Sequence, residues 1–318
     1  MISAIIPVYR PDDSFEKCLA MLAVQKEPVS EIILINTRTE DFGSKELGEL
    51  VSKALSDVKT AGKRNIDLVI RSIEKKDFDH GATRAMGAGM ARGDRLLFMT
   101  QDAVPADMHL TEELLKGLEH EKTAVCYARQ LPNADAGDIE RYARAFNYPE
   151  EDRYKDSSCI ESMGIKAFFC SDVCAMYDRQ AYEEVGGFEE KTIFNEDMIF
   201  AKHALDRGYG VYYAAGACVY HSHSYSYIDQ FRRSFDLAVS HRQFPDVFSC
   251  VSSESEGIRY VTTGVKHFFA AGKPFAALDL AFDSGFRYMG YLLGKNFDKL
   301  PVEAVKALTL NKGYWERS

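Results

Sequence analysis

Residues 95–103, Arg95-Leu-Leu-Phe-Met-Thr-Gln-Asp-Ala103, read as a short buried strand that runs directly into a polar turn carrying one carboxylate. An unbroken apolar run of this length, bounded by polar residues, suits a strand covered on both faces. Upstream, Ile2 to Pro7, Glu31 to Asn36 and Ile66 to Arg71 have the same character. Between them Phe15 to Val24, Ser44 to about Val58, and Gly81 to Ala91 carry helical spacing, with Ser14 placed to cap the first helix. Strands that recur with helices between them imply parallel units joined by right-handed crossovers. Ligands of such sheets bind at the carboxyl ends of the strands, which puts Asp102 at the mouth.

Downstream the rhythm breaks. Ala124 to Ala128 and Lys166 to Tyr177 read as strands, separated by the polar stretch Asn133 to Glu161. Glu196 to Arg207 follows a helix pattern, and Val211 to Tyr220 is aromatic and β-prone. This half can supply a mixed sheet edge. Beyond about Tyr225 the pattern is helical and amphipathic, with Arg232, Arg233, Arg242, Lys266, Lys273 and Arg287 set among Phe, Tyr and Leu.

Composition narrows the class without naming an activity. The 318 residues are 46% hydrophobic and 27% charged, as in ordinary globular chains. With 39 Lys+Arg against 48 Asp+Glu the net charge is -9, which repels a polyphosphate backbone and argues against a nucleic-acid partner. Seven Cys form no CxxC pair and leave one over, so reduced thiols in a cytosolic protein are expected. The start, MISAIIPVYRPDD, lacks the basic and apolar regions of a signal peptide, and no apolar run is long enough to span a bilayer.

Three clusters carry chemistry. Asp102 offers a carboxylate, the ligand that hard cations such as Mg2+ and Mn2+ prefer, although a lone loop Asp is as often a cap. In Ile193-Phe-Asn-Glu-Asp-Met-Ile-Phe200 two adjacent acids open a helix. They complement its dipole, or one serves as a general base; Asp197 is the sharper choice. His221-Ser-His223, at the end of the aromatic strand, can present an imidazole to a metal or phosphate, or simply pack. Phe78-Asp-His-Gly-Ala-Thr-Arg84 sets a His, a Gly and an Arg at a helix start, a combination suited to phosphate or nucleotide contacts. Cys170 and Cys174 share a face if their segment is a strand, and read as core.

Taken together and in order, Ser3-Ala-Ile-Ile-Pro-Val-Tyr9, Phe78 to Arg84, Thr100-Gln-Asp-Ala-Val-Pro105, Phe168-Phe-Cys-Ser-Asp-Val-Cys174, Val185-Gly-Gly-Phe188, Asn195-Glu-Asp197 and His221 to Tyr225 resemble the family 2 type of inverting glycosyltransferase. Within it, they are similar to bacterial dTDP-rhamnosyltransferases. The resemblance implies an α/β fold of GT-A type, a Rossmann-like nucleotide-diphospho-sugar transferase with a mixed sheet flanked by helices. It divides the chain into a transferase domain at 1–225 and a C-terminal helical extension at 226–318 that contacts a membrane surface, the acceptor or a second copy.

The same resemblance assigns Pro7, Val8, Tyr9, Arg10, Asn36, His80, Arg84, Gln101 and Asp102 to the nucleotide-sugar donor, and Ser171, Asp172 and Glu196 to the sugar or acceptor. Asp102 and His221 become ligands of a divalent metal, Mg2+ or Mn2+, and Asp197 the catalytic base. Thr100-Gln101-Asp102 keeps only the last acid of the family's Asp-x-Asp pattern, so metal is expected to bind appreciably only with nucleotide present. The implied donor is dTDP-L-rhamnose and the implied acceptor a cell-surface polysaccharide or lipid-linked glycan, handled in the cytoplasm or at the inner face of the membrane. A UDP-sugar donor, or a catalytically silent protein of this fold, are the competing readings. A sugar-nucleotide pyrophosphorylase or a dehydrogenase would need Gly-rich loops that the sequence lacks.

Overall fold

The computed structural model describes residues 1–60, 66–223, 225–249 and 254–316, so Ser224 and Cys250 of the sequence reading lie outside the described residues. Along the first half run β1 (Ile2–Val8), α1 (Asp13–Ala23), β2 (Val29–Thr37), α2 (Ser44–Thr60), β3 (Asp67–Ile73), α3 (His80–Met90), β4 (Arg95–Met99), β5 (Val104–Pro105) and α4 (Leu110–Leu118). The middle contributes β6 (Thr123–Leu131), α5 (Asp138–Asn147), β7 (Arg153–Lys155), α6 (Ile160–Met163), β8 (Cys174–Asp178), α7 (Arg179–Val185), α8 (Glu196–Asp206) and β9 (Gly210–Tyr220). Helices then follow: α9 (Tyr227–Gln243), α10 (Pro245–Phe248), α11 (Glu254–Ala270), α12 (Pro274–Gly294), α13 (Val302–Leu308) and α14 (Lys312–Trp315).

The strands form one mixed sheet in the order β3-β2-β1-β4-β8-β6-β9-β5, with β7 on β9. β1 through β4 pair in parallel, whereas β8 runs antiparallel to both β4 and β6. β4 explains the apolar run quoted at the outset. Leu96 and Phe98 enter the core on one face, and Leu97 and Met99 the core on the other. Successive side chains alternate sides, and with helices on both sides every position must be apolar. The carboxyl ends of β1, β2 and β4 thereby deliver Tyr9, Asn36 and Asp102 to one edge.

Two local readings of the sequence need correction. α1 is capped by Asp12, whose carboxylate accepts from the Ser14 amide at 2.9 Å; Ser14 lies inside the helix. Residues 166–177 are not one strand, because pairing begins only at Cys174. The buried Lys155 ammonium takes the Lys166 and Phe169 carbonyls at 3.2 and 2.5 Å, holding this segment as a loop. Cys170 and Cys174 consequently enter opposite cores.

The C-terminal helices pack against the α/β part through Ile193 with Phe235, Val239 and Val305, and through Phe268, Ala277 and Leu280 beside Tyr142. Among the described residues no helix is long and apolar enough to cross a membrane. α12 approaches α9 closely enough that a Cβ on Gly290 would sit 2.1 Å from the Phe231 carbonyl oxygen, and one on Gly294 2.3 Å from that of Phe235. Gly285, on the same helix, faces open space. Gly290→Ala is therefore expected to destabilise the chain by about 1–3 kcal/mol through overpacking. Gly285→Ala gains helix propensity instead, up to about 1 kcal/mol; urea midpoints of the two variants should move in opposite directions.

Candidate active site

Two polar centres occupy the carboxyl edge of the sheet, joined by the loop between α6 and β8. The first is built on Arg84, whose guanidinium is buried in α3. It lies 3.0 Å from a Glu196 oxygen and 3.3 Å from an Asp172 oxygen. α3 is fixed by its own cap, since the Asp79 carboxylate accepts from the Gly81 and Ala82 amides at 3.1 Å. A Cβ at Gly81 would come within 1.9 Å of the Glu189 carbonyl oxygen, so only glycine lets this turn dock there. The structure places the Arg84 guanidinium against the Glu196 and Asp172 carboxylates, because a buried guanidinium is held by the anions beside it.

Asp197 stands on the first turn of α8. Asn195 precedes it with φ of 67°, a left-handed conformation that Asn tolerates better than most side chains. That turn directs Glu196 towards Arg84, while one Asp197 oxygen accepts from the Met198 amide at 2.7 Å and the other from the Asp172 amide at 3.0 Å. Burial and the adjacent Glu196 carboxylate nevertheless push Asp197 up to about 7, against the pull of these amides and of Arg84. Burial likewise raises Asp172 well above the usual carboxylate range despite Arg84 at its side, and Tyr177 donates to it at 2.7 Å. A carboxyl tuned to neutrality at a helix start is equipped to accept a proton from an alcohol.

The second centre gathers Asp102, His221 and His223, whose potential ligand atoms all lie within 4.8 Å of one another. His221 Nε2 is 3.5 Å, and His223 Nε2 3.3 Å, from the same Asp102 oxygen. The sequence puts His221 first and leaves the choice between it and His223 open; the structure brings both to Asp102, since both imidazoles lie just past the end of β9 and fold back onto the turn after β4. Burial tends to raise Asp102, but the two imidazoles hold it well below the ordinary carboxylate range. Burial and His221 lower His223 to about 4, leaving it a neutral ring.

Gln130, at the end of β6, decides which nitrogen of His221 is free. Arg144, a donor only, donates to the Gln130 carbonyl oxygen, which fixes the amide's orientation. His221 Nδ1 meets that same oxygen at 3.0 Å, so in the neutral ring Nδ1 carries the hydrogen. When the ring is also protonated at Nε2 it donates to Asp102 and holds that carboxylate low; a divalent cation can take that proton's place, and this donor set of one carboxylate and two imidazoles fits Mn2+ or Mg2+, with imidazole favouring the former. The Gln130 amide nitrogen donates to Tyr148 at 2.6 Å and to Ser171 at 2.9 Å, tying the His corner to the loop that bears Asp172.

At the donor end of the edge, Tyr9 is part-exposed, with Arg10 and Lys75 stacked over its ring at 5.4 and 5.8 Å. Gln101 is tied to the Tyr9 backbone at 2.8 and 3.0 Å, so its amide buttresses that platform rather than pointing outward. Asn36 is buried, and its Oδ1 has no partner. Pro7 and Val8 finish β1, while His80, 4.0 Å from Glu196, flanks the Arg84 cluster. Gln130, Arg144 and Tyr148 escaped the sequence reading, because nothing in local spacing links the end of β6 to α5 and to His221.

Residues 3–186 match the profile described as glycosyl transferase family 2. The chain belongs to that family. Over 99% of its length it is 34% identical to the O-antigen chain rhamnosyltransferase RfbN of Salmonella typhimurium, covering 96% of that protein. To the O-antigen chain rhamnosyltransferase WbaN of Salmonella anatum it is 34% identical over 76% of the chain and 78% of the relative. Among solved structures, a mannosyltransferase from Pyrobaculum calidifontis in complex with GDP-Man and Mn2+ superposes with a TM-score of 0.61 at 14% identity, over 94% of this chain and 88% of that one. The S. aureus protein TarS does so with a TM-score of 0.52 over 94% and 91%. These likenesses carry the fold: a GT-A mixed sheet flanked by helices, with helices C-terminal to it. The chain is a glycosyltransferase.

Two predictions follow from the two centres of this glycosyltransferase. A carboxyl whose value is raised on folding favours the protonated state, so the stability it leaves is present at acid pH and lost as pH rises from about 4 through about 7. Asp197→Asn should therefore raise the unfolding temperature, by more at pH 8 than at pH 5. At the other centre, Gln130→Ala should weaken Mn2+ binding about 10–100-fold by freeing the His221 tautomer, read by electron paramagnetic resonance in the presence of a nucleoside diphosphate; His223→Ala should weaken it at least as much.

Proposed function

We propose that this glycosyltransferase moves L-rhamnose, with inversion, from dTDP-L-rhamnose to a hydroxyl of a cell-surface polysaccharide or lipid-linked glycan. The observation that carries the reading is the 34% identity to an O-antigen chain rhamnosyltransferase across 99% of the chain. The raised Asp197 beside a site for metal and diphosphate supports it chemically. The Tyr9 platform and the unpartnered Asn36 oxygen receive the nucleoside, with Pro7, Val8 and Arg10 shaping that end. Ser171, Asp172 and Glu196 meet sugar or acceptor hydroxyls.

In this mechanism Asp197 takes the proton of the acceptor hydroxyl as its oxygen bonds to the anomeric carbon, and the bond from that carbon to the diphosphate oxygen breaks. One displacement inverts the centre. Arg84 keeps Glu196 and Asp172 in place beside the base. Asp102, His221 and His223 would hold a divalent cation, whose charge offsets that of the departing nucleoside diphosphate. We assign the transfer to residues 1–225, and to residues 226–318 contacts with the acceptor, the inner face of the cell membrane or a second copy.

The test is turnover against a panel of nucleotide sugars with Mn2+ or Mg2+. Release of dTDP from dTDP-L-rhamnose, absent with UDP-sugars and abolished by EDTA, is the expected result; turnover of a UDP-sugar alone would overturn the donor. Asp197→Asn should cut turnover by about 100-fold or more while donor binding stays within a few-fold. Because the base must be unprotonated, kcat/KM should climb with pH through about 7. The groups facing it are Glu196, Asp172, Arg84, Tyr148, Tyr177 and Cys170, of which Asp172 is itself an acid raised by burial.

A further inference from the structure

The segment that carries Ser171 and Asp172 also forms one wall of a second cavity, of about 250 Å³, lined by Phe146, Arg153, Lys155, Lys166, Phe169 and Arg259 among others. At about 30 Å³ per water it holds several waters' volume, enough for a small polyanion. Its charge is one-sided. Four of its lining side chains are cationic and none is acidic. The carboxylate that reaches them is Glu256, 3.1 Å from Lys166 and 2.8 Å from Arg259, so one anion is divided between two cations. Both cations also lie over the Phe146 ring, at 4.4 and 4.8 Å, which keeps them at the cavity wall.

Lys155 is the unusual member. It is buried, and its ammonium donates to the Tyr127 hydroxyl at 3.1 Å and to the Lys166 and Phe169 carbonyls, all neutral oxygens. A buried cation without a carboxylate is costly, and burial accordingly lowers this one to about 7. In a chain whose net charge is -9, cations are concentrated here beyond what the acids beside them offset. Two arginines facing a concave wall present the fork geometry that suits phosphate oxygens.

We propose that this cavity binds a phosphate or diphosphate group, carried either by a lipid-borne acceptor or by a free phosphorylated solute. The cavity is separate from the Asp102 corner. An anion seated in it would neutralise the field around Lys155 and so firm the loop from Lys166 to Asp172, whose Phe169 carbonyl that ammonium holds.

Inorganic diphosphate, titrated calorimetrically into the full chain in EDTA, tests this without relying on the donor assignment. Binding is expected to weaken about tenfold or more in the double variant Arg153→Gln/Arg259→Gln, both exposed positions whose thermal unfolding should be unchanged. It should tighten in Glu256→Gln, which releases two cations, and be unaffected by Asp102→Asn. Absence of binding, or binding lost in Asp102→Asn but kept in the arginine variant, would overturn the proposal. Flotation with phosphatidylcholine vesicles, plain or doped with farnesyl diphosphate, separates the sources. Retention on doped vesicles alone, competed by inorganic diphosphate, identifies the lipid. Equal behaviour on both, with calorimetric binding intact, identifies the solute.

Discussion

The buried guanidinium of Arg84 is the constraint on which the rest of the site depends. It comes from α3, Glu196 and Asp197 come from α8, and Asp172 from the loop before β8, so one cation gathers acids from two other parts of the chain. Three carboxylates around one positive charge leave excess negative charge in a poorly solvated space. Burial first, and the neighbouring carboxylates after it, raise Asp197 and Asp172 rather than stabilising them as anions. Removing Arg84 would scatter the acids, whereas adding a second cation would make Asp197 an ordinary, weakly basic carboxylate. The arrangement gives up stability for a base matched to neutral pH.

The metal corner is organised by the opposite means. Asp102 is kept ionised by two imidazoles, and the orientation of His221 is set from behind by hydrogen bonds through a neutral amide. Arg144 fixes the Gln130 amide, the amide fixes the His221 tautomer, and the same amide reaches Ser171, the residue before Asp172. The two centres are thus connected through a single side chain and one peptide. A displacement of the loop at 168–173 would reach both at once.

Much of the fold was legible in the sequence, because a sheet covered on both faces needs strands that are apolar at every position. β1, β2 and β4 announce themselves largely in that way, whereas β3, at the sheet edge, is exposed or part-buried up to Ile73 and keeps Asp67, Arg71 and Ser72. The segment around Lys166 misled, since its apolar residues serve a loop whose carbonyls are captured by Lys155, a partner eleven residues upstream of the first of them. Individual site residues were legible wherever they sit at strand or helix ends: Asp102, Asp197 and His221 are all of this kind. Arg84 was legible as a cation at a helix start, but its acidic neighbours were not, because spacing along a helix cannot tell which acids fold onto it. Gln130 and Tyr148 carried no local mark at all. Their roles arise from the antiparallel and parallel pairings that bring β6 beside both β8 and β9.

The C-terminal helices are part of this logic rather than an addition to it. Asn195 holds a left-handed conformation, and such a conformation persists only where the surroundings over-determine it. The surroundings here come from beyond residue 226. Ser240 of α9 donates to the Phe194 carbonyl at 2.7 Å, Ile193 is enclosed by Phe235, Val239 and Val305, and Arg233 lies over the Phe194 ring at 4.7 Å. These contacts grip the two residues immediately before Asn195 and thereby set where α8 begins. Since Glu196 and Asp197 are the first residues of that helix, the position of the base is determined as much by α9 as by the sheet. Any event on the outer surface of the helices that moves α9 acts directly on the position of Asp197.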